Sequence, residues 1–258
     1  MKSIKGSINR AKSNLTLSVL GLFLMSVIIS CTQKAQKIDS TESLMKEISA
    51  RYNGKWFTHL TFSQTVDTYE NGLLVKTDTV EVWDEEYYFP SNLVIYETPG
   101  DTSNRYICRN DSLFIYKDGI LTHEEEGVTH DGVILSMDIY NMTYDEIMMR
   151  LGDLKYDISK FHETTYKGRK VYVMGAEQGD TTSYQAWFDA EHLYLIRFIK
   201  PVEGGVREVE LLDYIQIGES WIEQEYVFKR NGELYMKEKY FNIKIVATKN
   251  NDKDNQKE

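Results

Sequence analysis

The stretch Trp56–Val66, WFTHLTFSQTV, decides the fold class. Its even positions Trp56, Leu60, Phe62 and Val66 are apolar, whereas His59, Thr61, Ser63 and Thr65 are polar. A period of two sends successive side chains to opposite faces, so the stretch reads as a half-buried β-strand. Asn71-Gly72 follows, a pair suited to the positive φ angles of a two-residue hairpin turn. The chain then returns through DTVEVW, with Val80 and Val82 expected to point inward.

The same punctuation recurs along the chain. Asn110-Asp111 separates RYIC from SLFIY, and Asp118-Gly119 closes that strand. Lys167-Gly168 precedes RKVYVMGA, and Asn231-Gly232 separates YVFKR from ELYMKEKY. Short strands joined by tight turns make an antiparallel meander, because parallel neighbours need long helical crossovers. About ten or eleven strands are expected on this basis.

Two segments leave the period of two. Asp39, with Glu42 three residues on, is expected to cap a helix of about 12 residues carrying Leu44, Ile48 and Tyr52 on one stripe, ended by Asn53-Gly54. Val133–Leu151, VILSMDIYNMTYDEIMMRL, also reads as helical. There Thr143 and Glu146 form a capping box before Ile147, Met148 and Leu151, and Gly152 is the expected stop. The methionines Met137, Met142, Met148 and Met149 suit a helix that fills gaps against a sheet, and equally a lid over a cavity for an apolar ligand of variable shape.

With 258 residues, 41% of them apolar, the chain has material for one large domain or two small ones. Its first 30 residues carry Lys2, Lys5, Arg10 and Lys12 and no acid, and Leu15–Ser30 is apolar or small throughout. The remainder holds 26 basic against 40 acidic residues, a net charge of about -14. Such a surface argues against nucleic acid, whose phosphates need Lys/Arg patches, and against adhesion to anionic lipid by charge alone.

The apolar run is shorter than the roughly 20 residues that cross a bilayer, and it follows a basic segment, the pattern of a signal peptide. Its end, Ile28-Ile29-Ser30-Cys31, resembles the bacterial lipobox. The resemblance implies cleavage before Cys31 and acylation of that cysteine, which would hold the protein at a membrane. The expected organisation is a signal peptide over 1–30, a lipidated tether over 31–38, one folded domain over 39–248 and a polar tail over 249–258. With Cys31 acylated, Cys108 has no disulfide partner and reads as a small buried hydrophobe.

Catalytic patterns are sparse. Gly218-Glu219-Ser220-Trp221 lacks the second glycine of a nucleophile elbow, and the chain has no phosphate-binding glycine loop and no HExxH. His123 and His130 flank EEEGVT in what reads as a solvated acidic loop, without the spacing of a built metal site. No enzyme activity, cofactor or metal is expected. The 18 tyrosines, among them Tyr172, Tyr194 and Tyr214, alternate with aliphatics as strand positions do. Exposed aromatics can also stack on sugar rings, which leaves a surface glycan-binding or scaffold lipoprotein as the alternative.

The segment GRKVYVMGA, Gly168–Ala176, followed by SYQAWFDAEHLYLIRFI, Ser183–Ile199, resembles the middle of the LolA/LolB-like outer-membrane lipoprotein-sorting proteins. In that group a strand ending in Trp/Leu-x-Asp is followed by a short turn, a Leu and a strand carrying an Arg. The matching positions here are Trp187, Asp189, Leu193 and Arg197. The order of elements over Thr41–Ala247 fits as well. The resemblance implies a mainly β fold, a curved antiparallel sheet forming an open half-barrel of about eleven strands, with an N-terminal helix and a helical lid over an apolar concave face. It implies a ligand such as lipid or lipoprotein acyl chains. The residues expected to face it are Trp56, Leu60, Phe62, Val80 and Val82 from strands, Met137, Ile147, Met148 and Leu151 from the lid, and Trp187. The whole reading is a lipid-anchored, non-enzymatic protein of the Gram-negative envelope, at the outer membrane facing the periplasm.

Overall fold

The computed structural model describes residues 37–77 and 82–249. The signal peptide, Cys31, Val80 and the tail from residue 250 lie outside them.

An α-helix, α1 (Thr41–Tyr52), precedes seven strands: β1 (Phe57–Glu70), β2 (Leu73–Thr77), β3 (Trp83–Tyr88), β4 (Asn92–Thr98), β5 (Asp101–Arg109), β6 (Ser112–Lys117) and β7 (Ile120–Glu126). A helical segment follows, made of α2 (Asp131–Ser136), a 3-10 turn (Asp138–Asn141) and α3 (Tyr144–Asp153). The rest is strand: β8 (Phe161–Tyr166), β9 (Arg169–Met174), β10 (Gln185–Asp189), β11 (Leu195–Val202), β12 (Gly205–Leu212), β13 (Ile215–Ile217), β14 (Ser220–Ile222), β15 (Glu225–Arg230) and β16 (Glu233–Thr248).

Fourteen of these strands form one antiparallel sheet in the order β7-β6-β5-β4-β3-β1-β16-β15-β12-β11-β10-β9-β8, with β2 paired to β1. The order does not return on itself, so the sheet is a curved, open half-barrel. Its long central pair is β1 with β16, whose register shifts between Phe57 and His59, between His59 and Leu60, and again between Thr61 and Ser63. Bulges of this kind increase local twist and let a single sheet curl. The strand count exceeds the eleven expected because short hairpins such as β13–β14 carry too few residues to show a period of two. At the open edge, β7 reads ILTHEEE and is exposed throughout. Three glutamates and a histidine there blunt pairing with another chain. The EEEGVT segment is thus partly an edge strand rather than a loop.

The turns follow the sequence signals. Asn71 and Gly72 both take positive φ, as do Asp118 with Gly119, Lys167 with Gly168, and Asn231 with Gly232. After β9 the glycine is compulsory. A Cβ at Gly175, whose φ is +96°, would lie 2.3 Å from the Tyr184 carbonyl oxygen.

Helix α1 starts one residue later than Asp39 and Glu42 suggest. Ser40 is the cap: its hydroxyl accepts from the Ser43 amide at 3.1 Å, while the Ser40 amide donates to Ser43 Oγ at 3.0 Å. A serine three residues on closes the reciprocal box, leaving Glu42 in the first turn, where it faces the positive end of the helix dipole. Leu44, Met45, Ile48 and Tyr52 are buried on one stripe. The Thr143–Glu146 box caps α3 as expected, but the helix runs past Gly152 to Asp153.

The helical segment is fastened to the sheet on every side. Asp138, fully buried, accepts from the Ser91 amide at 2.9 Å and from the hydroxyls of Tyr87 and Ser91 at the β3–β4 turn. Asn141 Nδ2 donates to the Phe57 carbonyl at 2.6 Å, and Ser49 Oγ of α1 to the Met142 carbonyl at 3.1 Å. Arg150 of α3 grips Asp111 with both terminal nitrogens, at 3.0 and 2.6 Å. The cover is therefore a fixed layer, and Lys249, the first residue of the expected tail, is tied to it through the Asn141 carbonyl at 3.1 Å. Cys108 is buried at the sheet surface, and burial pushes its thiol up to about 11, the inert state expected of a structural cysteine.

Candidate functional site

Alternation along the strands decides what faces the cover. On β1, Phe62 and Gln64 point to the same side, and pairing carries that side across to Glu85 and Trp83 of β3 and to Tyr240 of β16. It continues to Ile95 and Leu93 on β4 and, on the other flank, to Phe228 and Tyr226 on β15, Val209 on β12 and Phe198 on β11. Helices α1 and α3 and the 3-10 turn fill one part of this concave face completely. Beside them the face is left partly open, forming a cavity of about 400 Å³ closed at one flank by Val128–Val133 and Met137. That size and its mainly apolar wall suit one small ligand.

The cavity brings together two of the residues expected to face a ligand, Phe62 and Met137. Trp56, Leu60, Ile147 and Leu151 are fully buried in the packed part of the core. Trp56 precedes β1 and stacks on Tyr140 with centroids 4.3 Å apart. Met148 is partly buried against that core, whereas Met149 is exposed. Val82 is half-buried and falls between strands, since β3 starts only at Trp83. Trp187 sits on the outer face, because its neighbours Ala186 and Phe188 occupy the inner one. Packing explains the division: large side chains directly under the helices are covered by them, while those farther along the same strands, such as Phe62 against Tyr240, border the cavity.

The matched family positions build the β10–β11 corner. The Asp189 carboxylate accepts from the amides of Glu191 at 2.9 Å and His192 at 2.8 Å, and Leu193 turns the chain with a φ of +60°. Arg197 lies on the outer face, 4.5 Å from the Trp187 ring, with its Nε donating to Glu208 at 2.8 Å. Beside it Glu210 is buried, and burial alone would raise its carboxyl. Hydrogen bonds from Lys167, Tyr166 and Lys229 prevail and hold it down at about 2. The tyrosines sort as strand positions do: Tyr172 and Tyr194 are buried, and Tyr214 stacks on Tyr194 at 3.8 Å.

What sequence reading missed is the acidic part of the cavity. Glu85 is 3% exposed, and burial, then the nearby Glu238, keeps its carboxyl well above the usual range. Glu238 is pushed up to about 7 by burial, although the Tyr240 hydroxyl donates to it at 3.1 Å. Gln64, also 3% exposed, has a side-chain carbonyl with no hydrogen-bond partner. Deeper in, Glu223 is raised to about 7 by burial while accepting from the Tyr226 hydroxyl. Ser136 of α2 contacts that hydroxyl at 3.3 Å and joins the wall to the cover. A signal existed, since Glu85 shares parity with Trp83 and Tyr87, and Glu238 with Met236 and Tyr240. A charged residue on an inward register is the anomaly to notice.

His130 stands on the facing wall at the start of α2, its Nε2 without a partner, and burial, then Lys200, lowers its pKa. A larger groove of about 640 Å³ lies along β1 and β3 and includes the outward-facing Thr61, Ser63, Asp84 and Glu86. Its outward side chains are polar, and Ser63 already donates to Asp84 at 2.7 Å. Of the two, it is the concave cavity in which apolar groups converge. Among the described residues no three His, Cys, Asp or Glu are placed to hold a metal ion.

No protein-family model matches the chain, and no curated protein matches it in sequence. Solved structures do match in shape. A domain ascribed to an outer membrane lipoprotein-sorting protein from Vibrio parahaemolyticus superposes with a TM-score of 0.50 at 12% identity, covering 80% of this chain and 92% of that one. A DUF1329 family protein from Desulfovibrio piger gives 0.49 at 10% identity, with coverage of 80% and 92%. A LolA superfamily protein from Nitrosomonas europaea gives 0.46 at 7% identity, with coverage of 80% and 94%. At these identities the likeness is one of fold alone: the open half-barrel shares its fold with the Vibrio domain.

Proposed function

We propose that this protein is a non-enzymatic lipoprotein of the Gram-negative envelope whose half-barrel carries an apolar ligand, either lipid or the acyl chains of lipoproteins. The observation that carries the reading is the unfilled, mainly apolar cavity on the concave face, beside a cover that packs everything else. A single curved sheet has no second sheet to bury its inner side, so whatever the helices leave uncovered must be met by a ligand or stay costly. The Vibrio structure that shares the fold carries lipoprotein sorting in its name, which agrees with this assignment. The anchor is assigned to Cys31, after a signal peptide over 1–30, by the sequence FLMSVIISC. Two or three acyl chains there would hold the protein at the membrane, assigned here to the outer membrane on its periplasmic side.

Two measurements test this. Native mass spectrometry of protein taken from membranes, followed by organic extraction, is expected to show a lipid adduct. Ile95→Trp, which fills the cavity from a half-buried wall position, is expected to abolish the adduct while leaving thermal stability within a few degrees of the parent. A lipid-free parent, or an adduct unchanged by the substitution, sinks the carrier reading. For the anchor, Cys31→Ala is expected to move the protein out of the membrane fraction or leave it unprocessed. Unchanged processing and fractionation would refute acylation.

A further inference from the structure

Three side chains at the floor of the cavity carry oxygens to which little or nothing donates. The Gln64 carbonyl is buried and unpartnered. No group among the described residues donates to the Glu85 carboxyl, and Glu238 receives one hydrogen bond, from Tyr240. The three come from adjacent strands, with Gln64 on β1 flanked by β3, which bears Glu85, and β16, which bears Glu238. A native interior leaves few acceptors unsatisfied, so three together facing a cavity ask for a ligand that supplies donors.

Cations already near the site do not answer them. Lys200 is held by Asp131 at 3.3 Å, Arg207 is exposed at the rim, and His130 is kept toward its neutral form by burial, then by Lys200. The hydroxyl of Tyr226 is committed to Glu223. The surrounding wall is apolar, which strengthens any charge-assisted hydrogen bond formed within it.

We propose that the cavity selects an amine-bearing amphiphile, its primary ammonium seated among Glu85, Gln64 and Glu238 and its chain lying along Phe62, Ile95 and Val209. An ammonium offers three N–H donors and a positive charge, the complement of two carboxylates and a carbonyl. This names the ligand class for the carrier role proposed above and rests on that role. Burial holds both carboxyls toward the protonated form, so seating an ammonium releases protons.

Titration calorimetry with three probes of equal chain length, octylamine, 1-octanol and octanoate, separates this idea from the broader one. At pH 8 octylamine is expected to bind about tenfold or more tighter than 1-octanol. The doubly substituted Glu85→Gln/Glu238→Gln protein is expected to lose that preference. In the parent protein the preference shrinks toward pH 5, as the carboxyls take up protons. Equal binding of the three probes, tighter binding of octanoate, or a preference insensitive to pH overturns the amine assignment and leaves the carrier reading standing. If no probe binds and no lipid accompanies the protein from membranes, the carrier reading falls and takes this inference with it. Should the double variant fail to fold, the pH series on the parent decides.

Discussion

Tyr140→Ala is expected to cost about 3–5 kcal/mol of stability, the range for emptying a large buried aromatic site. Tyr140 is fully buried in the 3-10 turn and stacks on Trp56, with Tyr52 edge-on at 5.6 Å. Its hydroxyl accepts from the Leu195 amide at 2.9 Å and donates to the Leu193 carbonyl at 3.3 Å. One side chain thus joins the cover, the end of α1 and the β10–β11 corner. Against the roughly 5–15 kcal/mol of total stability typical of a domain, the loss leaves little margin. Tyr140→Phe keeps the stack and deletes the hydroxyl, so a loss of about 1–3 kcal/mol is expected from the amide left without its acceptor. Urea titrations of both variants give the answer. A Phe variant as stable as the parent would remove the hydrogen bonds from the explanation.

The second large effect is an inverted pH dependence between pH 5 and pH 8. Glu223 and Glu238 each stand near 7 in the folded state, raised by burial from about 4.3 in an unfolded chain. For a carboxyl raised on folding, the stabilising contribution is complete below the unfolded pKa and is lost as pH climbs through the folded one. Stability is therefore expected to fall from pH 5 to pH 8, by up to about 3 kcal/mol for each of the two groups. Glu85 and Asp138, also raised by burial, act in the same sense. His130, lowered by burial, acts in the opposite one toward pH 5. Glu210, held near 2, contributes a constant amount across the window and weakens the fold only as pH falls below about 4. Glu223→Gln is expected to flatten the dependence and raise the melting temperature at pH 8. A parent more stable at pH 8 than at pH 5, with a variant that tracks it, contradicts the assignment.

Much of the architecture was written locally. The period of two from Leu60 to Val66, the Asn-Gly turns and the Thr143–Glu146 box each depend on a few neighbouring residues, and each reappears in the structure. Short strands such as β13 and β14 stayed hidden because three residues cannot display a period. The first helix cap was misplaced by one because Ser43 competed with Glu42 for the role at the third position, and the serine hydroxyl closed the box.

The site was less legible, for a different reason. Alternation names the face on which a side chain lies, and Leu60 and Phe62 share the inner face as expected, whereas Val82, expected inward, precedes β3, on which Trp83 and Glu85 take that face instead. It does not say where the helices come to rest. Leu60 and Trp56 fell under the cover and became core, while Phe62 and Met137 remained beside an unfilled space. Trp187, matched to the family pattern, went to the outer face because its neighbours Ala186 and Phe188 hold the inner one.

By itself, then, the sequence determined the class: an acidic antiparallel sheet with one helix before it and a helical segment within it, behind an N-terminal segment whose Ile28-Ile29-Ser30-Cys31 resembles a lipobox. Those properties come from periods, caps and turns, which are short-range. Only the tertiary structure decided that the sheet stays open, that the cover is pinned through Asp138, Tyr140 and Arg150, and that Glu85, Gln64 and Glu238 line one cavity. Curvature and packing over strands distant in the chain set those outcomes, and no local pattern encodes where a covering layer ends.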